Sequence, residues 1–163
     1  MSTADTRGWG RPDQVGFEQH NITQISAGGI HVRCNVGVAK LFTVMLNELG
    51  QHYPLKLQAD DWGYAYRPIR GYESEWQSTH NYKYLSNHSW GLAIDLDANK
   101  NPMTTDTKAK HEIVAGVVDP ILAKFRGRII WGGEYSSARK DYMHFEFVGT
   151  RGDADVLSRQ LNL

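Results

Sequence analysis

Two short segments with alternating apolar and polar residues constrain the fold of this chain more than any other feature. In residues 91–97 leucine and isoleucine occupy every second position, and two aspartates stand between them. In residues 143–148, His144 and Glu146 alternate with two phenylalanines. Successive side chains of a strand point to opposite faces, so each segment is predicted to be a strand with one apolar and one polar face. A polar face beside a core is costly unless it meets water, a partner group or a metal.

The remaining periodic segments predict a single α+β domain. Apolar residues recur at helical spacing over 38–49, where Asn35 could cap the helix and Gly50 could end it. Further helices are predicted over 108–116, over 119–127 and within 71–85, and further strands over 55–57, 64–66 and 128–131. Weak periodicity predicts that residues 1–34 form an N-terminal arm with loops, part of the same domain as residues 35–163.

Composition excludes several classes of function. The chain has 163 residues, which suits one core, and its 18 basic residues balance 18 acidic ones. A non-specific grip on nucleic acid or anionic lipid normally needs an excess of basic charge, so neither partner is expected. Cys34 is the single cysteine, which excludes an internal disulfide and a multi-cysteine zinc site. No apolar run approaches the roughly 20 residues of a membrane span, and no secretory signal is visible, so synthesis in the cytoplasm is expected.

The polar faces of the two strands suggest a metal site. If the strands pair, Asp95 and His144 project from one face of the sheet, and the small Ala93 leaves room beside them. Gly91 allows a sharp turn that brings His88 back over the sheet. Two imidazoles and a carboxylate suit a catalytic zinc ion with an open fourth position. Spacing alone leaves the alternative open that the histidines and Asp95 only make hydrogen bonds.

Hydrolysis also needs a base and a positive charge. Asp141 lies three residues before His144 and is the candidate general base. Arg67 or Arg70 could stabilise an oxyanion or bind a substrate carboxylate.

The run Ser86-x-His88-x-x-Gly91-x-Ala93-x-Asp95 resembles the signature of a zinc peptidase family. The family comprises D-alanyl-D-alanine carboxypeptidases and L-alanyl-D-glutamate endopeptidases, including VanY-like enzymes and phage endolysins.

A second element, Asp141-x-x-His144 followed by Phe145-Glu146, is similar to the C-terminal motif of the endolysin-like members. Residues 131–133, Trp-Gly-Gly, resemble the stretch that precedes that motif. The matching region runs from about residue 36 to residue 148.

The resemblance implies a fold and a set of roles. The expected fold is a small α+β domain with a central antiparallel sheet that carries the zinc site, and helices packed on one side. One zinc ion would be held by His88, Asp95 and His144. Asp141 would take a proton from the attacking water and pass it to the leaving amine. Ser86 would support the loop or contact substrate.

The arginine is less well defined by the resemblance. Tyr66-Arg67 is similar to a Tyr-Arg element of the family, which favours Arg67. The family often has Gly-Tyr-Arg-Ser, whereas residues 65–68 are Ala-Tyr-Arg-Pro. Arg70, followed by Gly-Tyr, is therefore a rival.

Other residues are weaker candidates. Glu146 could orient a metal ligand or serve as the base in place of Asp141, and Glu134 is a more distant alternative. Trp90, Trp131 and Tyr135 could line the cleft or could simply be buried aromatics. The remaining five histidines match neither motif and are expected to have no role at the site: His20, His31, His52, His80 and His111.

The resemblance implies zinc-dependent hydrolysis of an amide bond in a peptidoglycan stem peptide or cross-link. An endopeptidase of the endolysin type is favoured over a D,D-carboxypeptidase or dipeptidase. Such an enzyme would act as a monomer on the bacterial wall, delivered by a pore-forming partner. A non-catalytic zinc module that binds the wall or a partner is the alternative, although it would not need Asp141. A glycan-cleaving enzyme would leave His88 and His144 without a role.

Overall fold

The computed structural model describes residues 2–55 and 62–163, and it has an α+β architecture. The helices are α1 (Phe17–Asn21), α2 (Ala39–Leu49), α3 (Glu73–Thr79), α4 (Ala115–Leu122) and α5 (Arg151–Gln160). The strands are β1 (Ile22–Ala27), β2 (Ile30–Asn35), β3 (Ala93–Asp95), β4 (Met103–Thr104), β5 (Ile129–Trp131), β6 (Lys140–Asp141) and β7 (His144–Phe147).

A three-stranded antiparallel sheet in the order β3-β7-β5 carries the polar face predicted from the sequence. The predicted pairing of the two alternating segments is confirmed, with Asp95 opposite His144 and Ala93 opposite Glu146. On the other side of β7, Ile129 lies opposite Phe147. Phe145 and Phe147 are fully buried, so the apolar face of β7 packs in the core.

Helix α2 lies at the centre of the core, as its apolar spacing predicted. Phe42, Met45 and Leu49 are fully buried, and α2 contacts β1, α4 and α5. Asn35 does not cap this helix, because it is the last residue of β2. Its side-chain amide instead donates to the carbonyl of Trp90 at 2.9 Å, which ties β2 to the loop before β3.

The hairpin formed by β1 and β2 was not predicted, although a signal for it exists. Ile30, Val32 and Cys34 alternate with exposed residues and are buried. Gly28 and Gly29 form the turn with φ of +60° and +84°, a conformation that favours glycine.

The predicted helix over 108–116 was wrong, whereas the one over 119–127 is present but begins earlier than predicted: α4 starts at Ala115 and is followed by a short 3-10 turn over Ala123–Phe125. Two side chains accept hydrogen bonds from the backbone of residues 112–114, just before α4. Asn101 accepts from the backbone N–H groups of Glu112 and Ile113, both at 2.9 Å, and the Tyr53 hydroxyl accepts from that of Val114. These contacts replace the hydrogen bonds that an earlier helical turn would make.

The strands predicted over 55–57 and 64–66 are not found among the described residues. The predicted strand over 55–57 lies almost wholly outside the described residues. Residues 64–66 form no strand, but the N–H of Tyr64 donates to the carbonyl of Arg33 at 2.7 Å, so the segment runs beside β2.

Helix α5 was not predicted, and Thr150 and Asp153 start it with a capping box. Among the described helices, none has the length and apolar character that crossing a membrane requires.

Candidate metal centre and active site

Asp95 and His144 face each other across the strand pair β3–β7. Antiparallel register places them directly opposite, and Nδ1 of His144 lies 2.8 Å from Oδ1 of Asp95. Both residues are buried. The contact follows from the alternation in the sequence, because both side chains occupy the polar face of the sheet.

His88 reaches this face from the short 3-10 turn Asn87–Trp90. The hydroxyl of Ser86 caps the turn by accepting from the N–H of His88 at 3.3 Å. Gly91 ends the turn with φ of +70°, and a Cβ there would lie 2.5 Å from the backbone nitrogen of Asn35. The turn therefore needs glycine both for its backbone conformation and for its close approach to β2.

Hydrogen bonding determines which nitrogen of His88 faces Asp95. The Nδ1 of this fully buried imidazole lies 2.7 Å from the carbonyl of Gly63, so Nδ1 carries the proton and donates it. Nε2 is then a lone pair in the neutral ring. It lies 3.1 Å from Oδ2 of Asp95 and makes no hydrogen bond within the described part of the chain. A buried lone pair facing a carboxylate oxygen is costly unless a proton or a metal cation lies between them.

The three side chains fit a zinc ion. One ligand atom from each of His88, Asp95 and His144 can be chosen so that all lie within 4.8 Å of one another. Ligand atoms around a tetrahedral zinc lie about 3.3 Å apart, as follows from bonds of about 2.0 Å. Burial opposes ionisation of Asp95, but the hydrogen bond with His144 and the proximity of His88 hold the pKa of Asp95 well below its usual range. A carboxylate that stays ionised suits cation binding.

Glu146 lies behind His144 on the same face of β7. Its Oε2 is 3.7 Å from Nε2 of His144, and its Oε1 accepts from the Tyr135 hydroxyl at 2.6 Å. The side-chain amide of Asn87 donates to Oε2 of Glu146. Burial opposes ionisation of Glu146, yet His144 and these donors lower the pKa of Glu146 to about 2. A carboxylate behind a ligating imidazole fixes the orientation of the ring, so Glu146 suits the orienting role better than that of the base.

Asp141 ends β6 and lines the same cleft as the metal group. Burial raises the pKa of its carboxyl, partly offset by the attraction of His144. Its Oδ1 is buried without a hydrogen bond among the described residues. A carboxyl with a raised pKa and a free oxygen is suited to accept and return a proton.

The comparison with known proteins agrees with this geometry. A family model described as D-alanyl-D-alanine carboxypeptidase matches residues 75–147, a span that includes His88, Asp95, Asp141 and His144. Residues 75–147, which are fewer than half of the 163 residues of the chain, are similar to that family. The resemblance found in the two motifs is thereby confirmed, and peptidase activity is supported at the level of the family. Neither the curated proteins nor the solved structures gave a match.

The cleft has a volume of about 480 Å³, within the range of about 300–1,000 Å³ that is usual for small-molecule sites. Asp95, His144 and Asp141 line it, and cationic side chains line it as well: Arg7, Arg67, Arg70, Lys83 and Arg139. Positive charge around a buried acidic centre favours a substrate that carries a carboxylate.

Arg67, one of the two candidate arginines, lies next to the metal group. The Nη2 of Arg67 is 3.9 Å from Oδ2 of Asp95, and its guanidinium lies over the ring of Trp62. The backbone of Arg67 exchanges hydrogen bonds with the Ser89 hydroxyl at 3.0 and 2.9 Å, which fixes it beside the His88 turn. Arg70 also lines the cleft but is exposed.

The aromatic candidates occupy different positions. Trp131 is buried and donates to the carbonyl of Tyr142 at 2.8 Å, so it supports the segment that follows Asp141. Trp90 and Tyr135 line the cleft, although Trp90 is almost fully buried. Glu134 is exposed, and hydrogen bonding with the neighbouring carboxyl of Asp119 on α4 raises the pKa of Glu134. His20, His31, His52, His80 and His111 lie outside the metal group.

Sequence reasoning missed three residues that shape the site. Gly63 supplies the carbonyl that sets the tautomer of His88, and Asn87 connects to Glu146. Arg7 donates to Oδ1 of Asn87 at 3.4 Å from the N-terminal arm. The place of Asn87 inside the Ser86–His88 motif could have drawn attention to it. The sequence holds no comparable signal for Arg7 or Gly63, because their contacts depend on the tertiary fold.

Proposed function

We propose that this chain is a zinc-dependent peptidase that hydrolyses an amide bond in peptidoglycan peptides, with His88, Asp95 and His144 as the zinc ligands. The observation that carries the proposal is the buried Nε2 of His88. This lone pair faces Oδ2 of Asp95 at 3.1 Å with no hydrogen bond between them, beside the His144–Asp95 contact. Zinc, when bound, polarises the scissile carbonyl and acidifies water.

The residues around the proposed zinc ligands have the remaining catalytic and structural roles. Asp141 accepts a proton from the attacking water and returns it to the leaving amine, for which its raised pKa is suited. Arg67 holds a substrate carboxylate or the developing oxyanion, supported by its position 3.9 Å from Asp95. Glu146 orients the ring of His144. Ser86 keeps the His88 turn in place.

We favour an endopeptidase of the endolysin type that cuts stem peptides or cross-links. This choice rests on the resemblance of Asp141-x-x-His144 to endolysin-like members. A D,D-carboxypeptidase or dipeptidase is the second candidate, and the arginines of the cleft favour it, because Arg67 and Arg70 could bind a C-terminal carboxylate. The description of the matching family points the same way.

A non-catalytic zinc module for wall or partner binding is disfavoured by Asp141. A binding module has no use for a buried carboxyl with a raised pKa at the edge of its metal group. We also propose that the enzyme is a monomer that acts on the bacterial wall and is delivered there by a pore-forming partner.

Digestion of purified peptidoglycan by the zinc-loaded protein, followed by mass spectrometry of the fragments, tests the proposed function. New peptide termini that vanish with a chelator and return with zinc are expected. Internal termini would support the endopeptidase, and release of free D-alanine alone would replace it with the carboxypeptidase. The zinc-loaded Asp141→Asn protein is the matched control for contaminating activity. Intact peptides from several wall types, with zinc bound, would refute the enzyme and favour the binding module.

A further inference from the structure

The N-terminal segment, defined as residues 2–11, packs against the metal site although no motif marks it. Trp9 is buried and its indole donates to the carbonyl of Gly149 at 3.0 Å. The indole of Trp90 donates in turn to the carbonyl of Gly10 at 2.9 Å. Ala4 is buried and also lines the cleft. The segment is therefore one wall of the cleft, fixed at several points.

Arg7 is the residue of this segment that points towards the metal ligands. Its Nη1 donates to the carbonyl of Gly149 at 3.2 Å, and its Nη2 donates to Oδ1 of Asn87 at 3.4 Å. Burial lowers the pKa of Arg7, and the negative charge of Glu146 partly restores it. A half-buried guanidinium beside a buried carboxylate is in the position of a counter-ion.

Asn87 transmits the position of Arg7 to Glu146. A carboxamide has one accepting end and one donating end, and a guanidinium can only donate. Arg7 therefore holds Oδ1 of Asn87 on its own side, which turns Nδ2 towards Oε2 of Glu146. The opposite orientation of the amide would place two acceptors against each other.

We propose that Arg7 is a positioning residue for the metal site, acting through Asn87 and Glu146 on His144. With Glu146 held behind Nε2 of His144, the ring keeps Nδ1 directed towards Asp95 and the metal position. The inference rests on the proposed role of His144 as a ligand and deepens it, because it makes the N-terminal segment part of the metal site.

The test measures zinc affinity and kinetics of four variants of the whole chain, one of which, Arg7→Lys, keeps the positive charge. Arg7→Gln removes the charge, Asn87→Ala breaks the link without altering the N-terminal segment, and Arg11→Gln is the matched control. Arg11 lies on the same segment but donates to the Tyr82 hydroxyl at an exposed position. Zinc affinity is measured by competition with a chromogenic chelator, and thermal unfolding of the metal-free proteins monitors the fold.

We expect Asn87→Ala to weaken zinc binding about 10- to 100-fold, and Arg7→Gln about 10-fold, as is typical for partners of metal ligands. The kcat should fall in both variants, and KM should stay within about twofold in Asn87→Ala, which keeps every charge of the cleft, whereas Arg7→Gln also removes a positive charge from the cleft. Arg7→Lys should recover part of the affinity, and Arg11→Gln should match the wild type.

Wild-type zinc affinity in both Arg7→Gln and Asn87→Ala would overturn the inference. If Arg7→Gln lowers the unfolding temperature sharply, its zinc affinity is set aside, and wild-type zinc affinity in Asn87→Ala is then sufficient to overturn the inference. Zinc affinity is measured without substrate, so the two proposals can fail separately. A wild-type protein that cuts no peptide would refute the proposed function, whereas the inference about Arg7 would still be tested by the zinc affinities.

Discussion

At the scale of single residues, neighbouring acceptors orient the two histidines of the candidate metal site in opposite ways. Nδ1 of His88 donates to Gly63, which leaves Nε2 facing Asp95. Nε2 of His144 lies towards Glu146, which leaves Nδ1 facing Asp95. The sequence predicts which residues could bind the metal. It does not predict which ring nitrogen of each histidine faces the metal position, because that depends on partners elsewhere in the fold.

Zinc binding should release a proton from His144. Burial lowers the pKa of this imidazole, but Asp95 and Glu146 together raise it to about 10, so the ring is protonated in the metal-free protein below that pH. Zinc must displace the proton, so apparent zinc affinity should rise with pH and level off only above the raised pKa. Calorimetric titration at pH 7 in two buffers of different ionisation enthalpy should show release of about one proton per zinc. Equal heats in both buffers would contradict this.

Replacement of Asp141 should separate catalysis from metal binding. Asp141→Asn keeps the shape of the side chain but removes the base, so turnover should fall about 10²- to 10⁴-fold while zinc content stays unchanged. Asp155→Asn, on an exposed position of α5, is the control. Steady-state hydrolysis of the peptide identified by mass spectrometry is the measurement. Turnover retained in Asp141→Asn would transfer the role of base to Glu146.

The two candidate arginines should respond differently to truncation. Arg67→Ala should reduce kcat/KM by about 10²-fold or more, a loss typical of a group that stabilises the transition state, with zinc content unchanged. Arg70→Ala should reduce it less, because Arg70 is exposed in the cleft. Parallel kinetics and zinc analysis of both variants make the comparison. The reverse order would assign the role to Arg70.

At the scale of elements, the glycines after β5 explain why the Trp131-Gly132-Gly133 stretch precedes Asp141. A Cβ on Gly132 would lie 2.3 Å from the backbone oxygen of Asp141 and 2.8 Å from its Cβ. A Cβ on Gly133 would lie 2.3 Å from the ring of Trp131. The turn can therefore approach β6 only with glycine at these positions.

Gly132→Ala should displace Asp141 and impair the enzyme more than the fold. Overpacking of this kind costs about 1–3 kcal/mol of stability, whereas a shift of about 1 Å in a reacting group can cost about 10²-fold in rate. Gly116→Ala on α4 is the control, because no atom lies within 4 Å of the added Cβ. Denaturant unfolding and kinetics are compared for both variants. Wild-type kinetics in Gly132→Ala would show that this close contact is not required.

The sequence predicted the elements that carry strong periodicity and missed those formed by tertiary contacts. The strand pair β3–β7 and helix α2 follow from apolar spacing. The start of α4 does not, because Asn101 binds the preceding backbone from a distant loop. Helix propensity alone cannot anticipate such a competing partner.

At the scale of the whole molecule, the cleft lies between the sheet and the N-terminal segment. The grouping of His88, Asp95 and His144 was predictable because these residues lie in two compact motifs whose strands pair. The wall formed by residues 2–11 was not, since Arg7 is separated from Asn87 by 80 positions in the chain. Weak periodicity suggested an arm with loops, and only the tertiary fold shows that this arm contacts the site.

The most direct test of the central claim is the zinc content of the purified protein and of His88→Ala, measured by elemental mass spectrometry. We expect about one zinc per chain in the wild type. We expect little zinc in His88→Ala, and a loss of peptide hydrolysis in proportion to the loss of zinc. His52→Ala, at an exposed histidine outside the metal group, should match the wild type. Full zinc occupancy in a folded His88→Ala protein would contradict the proposed ligand set.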